Sequence, residues 1–203
     1  MCAIIGFDSP TLTEQEIRPY FDRTISRGPD MSRMEKAGRG MLGFHRLAIM
    51  GLHEEGMQPF HLGGDMAVCN GELYGFRPLK KELEAKGYTF ASESDCELIL
   101  PLYREYGVEM FAKLDAEFAM IIYDAKADRL VAARDPIGIR PLFYGYLADG
   151  GILFASEAKN LVGLCEHIMP FPPGHYYADG KFVRYADLTT VTEYSKDDLD
   201  TVC

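Results

Sequence analysis

The sequence predicts a layered α+β fold built on antiparallel sheet, and three observations carry that prediction. Apolar runs of strand length begin at Cys2, Met41, Met66, Phe118, Arg129, Leu142 and Ile152, with shorter ones near Tyr176 and Phe182. Two connections, Ala148-Asp149-Gly150-Gly151 and Ala178-Asp179-Gly180-Lys181, carry the Asp-Gly pair of tight hairpins, which join antiparallel neighbours. Helical segments interrupt the strands without the strict alternation that a doubly wound parallel sheet requires.

The helices are legible from their ends. Thr13-x-x-Glu16 reads as a capping box, followed by Ile17, Phe21 and Ile25 on one helical face. A second helix takes Pro78 into its first turn, turns Leu79 and Leu83 inward and stops at Lys86-Gly87. A third opens on a capping box Ser94-x-x-Glu97, buries Leu98, Ile99, Leu102 and Tyr103, and ends at Gly107. Pro101 inside it is expected to bend it or to cost a backbone hydrogen bond. The run Phe118-Ala119-Met120-Ile121-Ile122-Tyr123 is apolar on both sides, so its strand is expected to be covered on both faces. No linker or repeat divides the first 186 residues. The stretch 187–203 turns polar and acidic, and reads as a domain end or a shortened linker.

Composition narrows the function. At 203 residues with 47% hydrophobic and 26% charged residues, the chain has the make-up of a soluble globular domain. A net charge of −10 argues against nucleic acid or an anionic membrane as partner, because both call for a basic surface. No apolar stretch approaches the roughly 20 residues of a membrane helix, and no charged-then-apolar leader opens the chain. The five cysteines are scattered, without C-x-x-C spacing, as suits a reduced cytoplasm. The five histidines show no ligand spacing, so no metal site is expected.

Cys2 is the residue of greatest chemical interest. Removal of Met1 would leave one residue with both a thiol and a free α-amine, whose pKa of about 7.7–8.0 lets it act as a base near neutrality. The alternative is an early buried strand cysteine. Asn70 and Gly71, leaving the run Met66-Ala67-Val68, offer a side-chain amide and an unhindered backbone N–H as an oxyanion hole, or form a plain Asn-Gly turn. Asp95, at a helix start, complements the helix dipole and can hold an ammonium, a task Glu72 can share. Arg46 stands in the apolar stretch Phe44 to Ile49, where a guanidinium needs a carboxylate from the protein or from a ligand. His45 reads as a satisfied core residue. Arg27-Gly28-Pro29-Asp30 and Arg134 to Pro141 read as polar, salt-bridged loops.

In their order and spacing these segments resemble the class II glutamine amidotransferases, which are N-terminal-nucleophile hydrolases, and most of all the glutaminase domain of the asparagine synthetase branch. The likeness runs from Cys2-Ala3-Ile4-Ile5-Gly6 through Arg27-Gly28-Pro29-Asp30, Arg46-Leu47-Ala48-Ile49, Gln58-Pro59, Asn70-Gly71-Glu72-Leu73-Tyr74 and Ser94-Asp95-Cys96-Glu97. It continues through Arg134-Asp135-Pro136, Pro141-Leu142-Phe143-Tyr144, Ala155-Ser156-Glu157-Ala158-Lys159 and Pro173-Gly174. The amidophosphoribosyltransferase branch is similar around Arg134 to Leu142, and a class II amidotransferase serving another acceptor is the alternative.

The resemblance implies a four-layer αββα sandwich of two antiparallel sheets. It implies Cys2 as nucleophile, Asn70 and Gly71 as oxyanion donors and Arg46 on the substrate α-carboxylate. Glu72 and Asp95 would take the α-ammonium, and Leu47, Ala48, Ile49 and Met50 would line the pocket. Glutamine is the implied substrate. No cofactor is implied in this chain, because ATP and Mg belong to the synthetase domain that would use the ammonia. No Ser-Gly-Gly-x-Asp-Ser phosphate loop of such a domain occurs here, so the chain reads as a glutaminase domain separated from its synthetase partner. A homodimer is compatible with this reading. Ala3 departs from the glycine usual after the nucleophile, and its methyl is expected to narrow the pocket or tilt Cys2.

Overall fold

Two antiparallel sheets of six strands each form the centre of the molecule. The computed structural model describes residues 2–49 and 53–189. Met50 and the polar tail from residue 190 onward lie outside the described residues. The strands are β1 (Ala3–Asp8), β2 (Met31–Ala37), β3 (Gly40–Arg46), β4 (Phe60–Leu62), β5 (Asp65–Leu73) and β6 (Ala116–Asp124). They continue with β7 (Arg129–Arg134), β8 (Phe143–Tyr146), β9 (Ile152–Ala155), β10 (Ile168–Pro170), β11 (His175–Ala178) and β12 (Lys181–Arg184). The helices are α1 (Glu14–Phe21), α2 (Phe76–Ala85) and α3 (Ile99–Tyr106). One sheet has the order β10-β8-β9-β1-β3-β2 and the other β12-β11-β7-β6-β5-β4.

Strand periodicity explains the layering. Successive side chains leave a strand on opposite faces, and both faces of the central strands are apolar. On β6, Phe118, Met120 and Ile122 pack with Leu83 and with Leu98, Ile99 and Leu102, the helical layer on that side. Ala119 and Ile121, on its other face, meet Ile4, Leu42, Phe44 and Phe154 of the opposing sheet. On β1, Ile4 faces inward, while Ile5 and Phe7 pack outward with Ile17 and Phe21 of α1. The order is therefore helix, sheet, sheet, helix. Burying each large side chain contributes about 1.5–3 kcal/mol, and Phe118 to Ile122 are all fully buried. Gly6 lets the two sheets pack closely: a methyl there would lie 3.0 Å from Ile121 Cδ1 of the opposing sheet, and 2.8 Å from Leu42 Cδ2 on the neighbouring strand β3.

Every strand-like run marks a strand, and the two Asp-Gly turns close the β8–β9 and β11–β12 hairpins. Asp179 and Gly180 have φ of 50° and 76°, the left-handed pair that a primed hairpin turn requires. The Thr13 capping box forms, and Ile17 and Phe21 are buried. Ile25 is a correction. The chain tightens into a 3₁₀ turn at Asp22–Arg27, which rotates each residue by more than an α-helix does, and Ile25 emerges 48% exposed.

The third helix is a second correction. Ser94 makes no side-chain cap bond, and a 3₁₀ turn, Asp95–Leu98, precedes α3. Glu97 instead accepts from the Ala91 and Ser92 backbone N–H groups at 2.7 and 2.8 Å and from Ser92 Oγ. Because α3 begins only at Ile99, Pro101 stands in its first turn, where the missing N–H is tolerated.

The loop after β7 is not salt-bridged internally either. Asp135 Oδ1 accepts from the N–H groups of Ile137, Gly138 and Ile139, and Oδ2 from those of Arg140 and Phe118. Arg134 donates to the carbonyls of Gly138, Arg140 and Phe171.

Candidate active site

A cleft of about 130 Å³ opens at one end of the sandwich, where β1 and β3 of one sheet face β5 of the other. Its walls include Cys2, Arg46, Leu47, Ile49, Asn70, Gly71, Glu72 and Asp95. Residues as far apart in sequence as Cys2 and Arg140 thus line one cleft.

Cys2 directly precedes β1 and packs against the interlayer core. Its Sγ accepts from the Leu47 N–H at 3.4 Å and donates to the Leu47 carbonyl at 3.6 Å. Burial pushes the thiol above its usual pKa, opposed by the Leu47 N–H, which favours the thiolate. The sulfur is therefore protonated near neutrality and needs a base before it can attack. Arg27 Nε donates to the Cys2 carbonyl at 3.1 Å, while its Nη1 pairs with Glu157 at 3.0 Å. Ser156 accepts from the Ile4 N–H at 2.9 Å. The loops around Arg27 and Ser156-Glu157 thus hold the first residues of β1.

Asn70 and Gly71 do not form a turn. Both lie within β5, paired with Ala119 and Phe118 of β6. Asn70 is buried, and its Nδ2 has no hydrogen-bond partner, an unmet donor that calls for a ligand oxygen. Backbone groups of an antiparallel strand point alternately to its two edges. On the edge away from β6, the Cys69 N–H reaches Gln58 Oε1 and the Leu73 N–H reaches Asp95 Oδ2, each at 2.6 Å. Gly71 lies midway between them on that same edge, and lines the cleft. A side chain at Gly71 has no room, since its Cβ would fall 2.5 Å from the Glu117 carbonyl.

Arg46 ends β3 and is 3% exposed. Its Nη1 donates to the His53 carbonyl at 2.8 Å and touches Met31 Sδ at 3.7 Å. Asp30 accepts from the Ala48 N–H at 2.8 Å, which shapes the loop after β3. Ile49 lines the cleft with most of its surface exposed, whereas Ala48 is not among the lining residues. Glu72 is exposed at the mouth. Opposite it on β6 stands Glu117, whose carboxylate is held by Arg140, another lining residue.

His45 is a core residue as expected: it stacks on Phe21 with centroids 3.6 Å apart, and its Nδ1 contacts Ser32 Oγ at 2.6 Å. Ala3 is a correction only in that it does not narrow the pocket. Its methyl lies on the face of β1 opposite Ile4, fully buried, and does not line the cleft.

The sequence reading missed Gln58, Ser94, Cys96 and Arg140 as lining residues, and Arg27 and Glu157 as supports of the Cys2 segment. The signal for all of them but Arg140 was present in the segments Arg27-Gly28-Pro29-Asp30, Gln58-Pro59, Ser94-Asp95-Cys96-Glu97 and Ser156-Glu157.

Residues 1–177 match the profile of the glutamine amidotransferase domain. The chain belongs to that family. Among curated relatives, the domain is 44% identical over 195 residues to a probable glutamine-hydrolysing asparagine synthetase of Dictyostelium discoideum, covering 91% of this chain and 35% of the relative. It is 40% identical over 193 residues to the asparagine synthetase of Sandersonia aurantiaca, covering 91% and 36%. The chain spans about a third of the length of these relatives. Among solved structures, the glutamine phosphoribosylpyrophosphate amidotransferase from B. subtilis superposes with a TM-score of 0.73 at 20% identity, over 91% of this chain and 49% of that one. An allosteric regulatory enzyme of purine biosynthesis superposes with 0.77 at 21% identity, over 91% and 49%. The amidotransferase domain therefore has the α+β sandwich of N-terminal-nucleophile amidotransferases. Among its described residues, no helix is long and apolar enough to cross a membrane.

Proposed function

We propose that this amidotransferase domain hydrolyses glutamine to glutamate and ammonia at Cys2, after Met1 has been removed. The observation that carries the reading is a thiol on one sheet facing an unsatisfied, buried amide donor, Asn70 Nδ2, on the other. The freed α-amine takes the thiol proton, and Sγ attacks the γ-carbonyl of glutamine. Negative charge gathers on the carbonyl oxygen, where Asn70 Nδ2 and the Gly71 N–H receive it. The amine returns the proton to nitrogen, ammonia leaves, and a γ-glutamyl thioester remains on Cys2. Water attacks the thioester carbonyl, the thiol departs with a proton, and glutamate is released. Arg46 takes the substrate α-carboxylate, Asp95 and Glu72 its α-ammonium, and Leu47 and Ile49 flank the chain between them.

Identities of 40–44% to asparagine synthetases favour asparagine formation as the fate of the ammonia. In that reading the domain works in the cytoplasm as part of a longer protein, with the polar tail leading to a synthetase domain that holds ATP and Mg and converts aspartate. The test is direct. The purified chain releases glutamate and ammonia from glutamine, Cys2→Ala abolishes the release, and intact-mass measurement shows Met1 absent. Turnover by protein that retains Met1 would overturn the mechanism.

A further inference from the structure

The alternation along β5 leaves an accounting question at the cleft. β4 pairs with β5 only as far as Phe60 opposite Ala67. Extending that register by two residues places Gln58 opposite Cys69, beyond Pro59, which has no N–H to give. A strand residue there would exchange two backbone hydrogen bonds with Cys69. The Gln58 side chain makes both instead: Nε2 donates to the Cys69 carbonyl at 3.1 Å, and Oε1 accepts from the Cys69 N–H at 2.6 Å. Gln58 is 4% exposed and lines the cleft. Four residues farther along the same edge, Asp95 Oδ2 holds the Leu73 N–H. Gly71 sits between these two anchored residues, with Asn70 just before it.

We infer that Gln58 is a positioning residue of the glutaminase reaction: by standing in for a strand residue against Cys69, it fixes the β5 edge so that the Asn70 amide and the Gly71 N–H converge on the substrate oxyanion. The inference rests on the function proposed above. An amide suits the task because it alone supplies a donor and an acceptor side by side in the plane of a peptide group. It also ends the β4 edge with a side chain, so the edge donor at Gly71 stays open to the cleft rather than being consumed by a neighbouring strand.

The role predicts a particular kinetic signature. Arg46 on β3 and Asp95, held against the Leu73 N–H, have anchors of their own away from Cys69, so glutamine binding survives loss of the Cys69 pairing. The charge that develops on the carbonyl oxygen in the transition state does depend on it. Gln58→Met keeps the length and removes both hydrogen bonds. Gln58→Glu keeps the acceptor and sets a carboxylate oxygen against the Cys69 carbonyl. Both are expected to lower kcat about 10- to 100-fold, below the full loss of an oxyanion donor, which is typically about 10²–10³-fold. KM is expected to move by less than about 3-fold, as for an interaction felt mainly in the transition state, and iodoacetamide should alkylate Cys2 at the wild-type rate.

Amide hydrogen exchange on the wild-type protein gives an arm that needs no variant: the Cys69 N–H should be strongly protected and the Gly71 N–H much less so. Equal exchange at the two positions overturns the inference, as does a kcat within 2-fold of wild type in a folded variant. A parallel collapse of KM and Cys2 alkylation also overturns it, because it would show general loss of the site. If the wild-type chain itself fails to turn over glutamine, the proposed function falls, while the exchange measurement still judges the clamp.

Discussion

The two sheets hold their ends of the cleft in different ways. On the β1 side the support is ionic and reaches the backbone: Arg27 spans the Cys2 carbonyl and the Glu157 carboxylate, and Ser156 ties the Ile4 N–H. On the β5 side it is a pair of side chains that occupy ladder positions, Gln58 at Cys69 and Asp95 at Leu73. The first arrangement grips a strand at its very start. The second interrupts an edge that would otherwise be paired, and so leaves donors pointing outward. The β1 side is built to anchor, and the β5 side is built to expose. Changes to the first should therefore register mainly as stability, and changes to the second mainly as rate.

Asn70→Ala offers the largest contrast. It removes the unmet donor without touching the β5–β6 ladder, so kcat for glutamine should fall by about 10²–10³ while the urea midpoint stays near wild type. An equal loss of stability would erase the distinction between the sheets.

Arg27→Met tests the other side. It removes the bond to the Cys2 carbonyl and the partly buried pair with Glu157, a loss of about 1.5–3 kcal/mol for a charged hydrogen bond, read as a lower urea midpoint. A large fall in kcat at unchanged stability would move Arg27 into the chemistry.

His45 gives the smallest effect and sharpens the picture of the β3 side by pH. Burial lowers its pKa, outweighing the Phe21 carbonyl and Asp22, which favour the charged form. Below the ordinary histidine value of about 6.5 the unfolded chain takes up a proton that the folded ring resists, so stability falls as pH drops through that value. The fall levels off once the depressed folded value is passed. The decline in urea midpoint between pH 7.5 and 5.5 should be smaller in His45→Asn, and an identical decline would assign it to other groups.

The elements that the sequence revealed are those whose signal is local. The Thr13 capping box and the Asp-Gly hairpins were readable because both partners lie within a few residues. The edge strand β2 was not, since its Ser32, Arg33, Glu35 and Lys36 interrupt the apolar run, as edge strands commonly do. β4 and β10 are three residues each, too short for a period. Ser94-x-x-Glu97 had the letters of a cap, but Glu97 finds better donors in the Ala91-Ser92 turn. In the cleft, Cys2, Arg46, Asn70, Gly71 and Asp95 were named because their chemistry is unusual for their surroundings. Gln58 escaped because a buried glutamine has no chemistry of its own, and its meaning appears only once Cys69 is seen across from it.

Gly6 lies four residues from the thiol, yet its bare Cα lets β1 approach Ile121 of the other sheet where a methyl would crowd it. Sulfur rides on one slab and the amide that faces it on the other, so the thickness of the oily filling between them is the ruler of the gap that the proposed reaction uses. Residues that never meet a substrate thereby set the calibration of the chemistry.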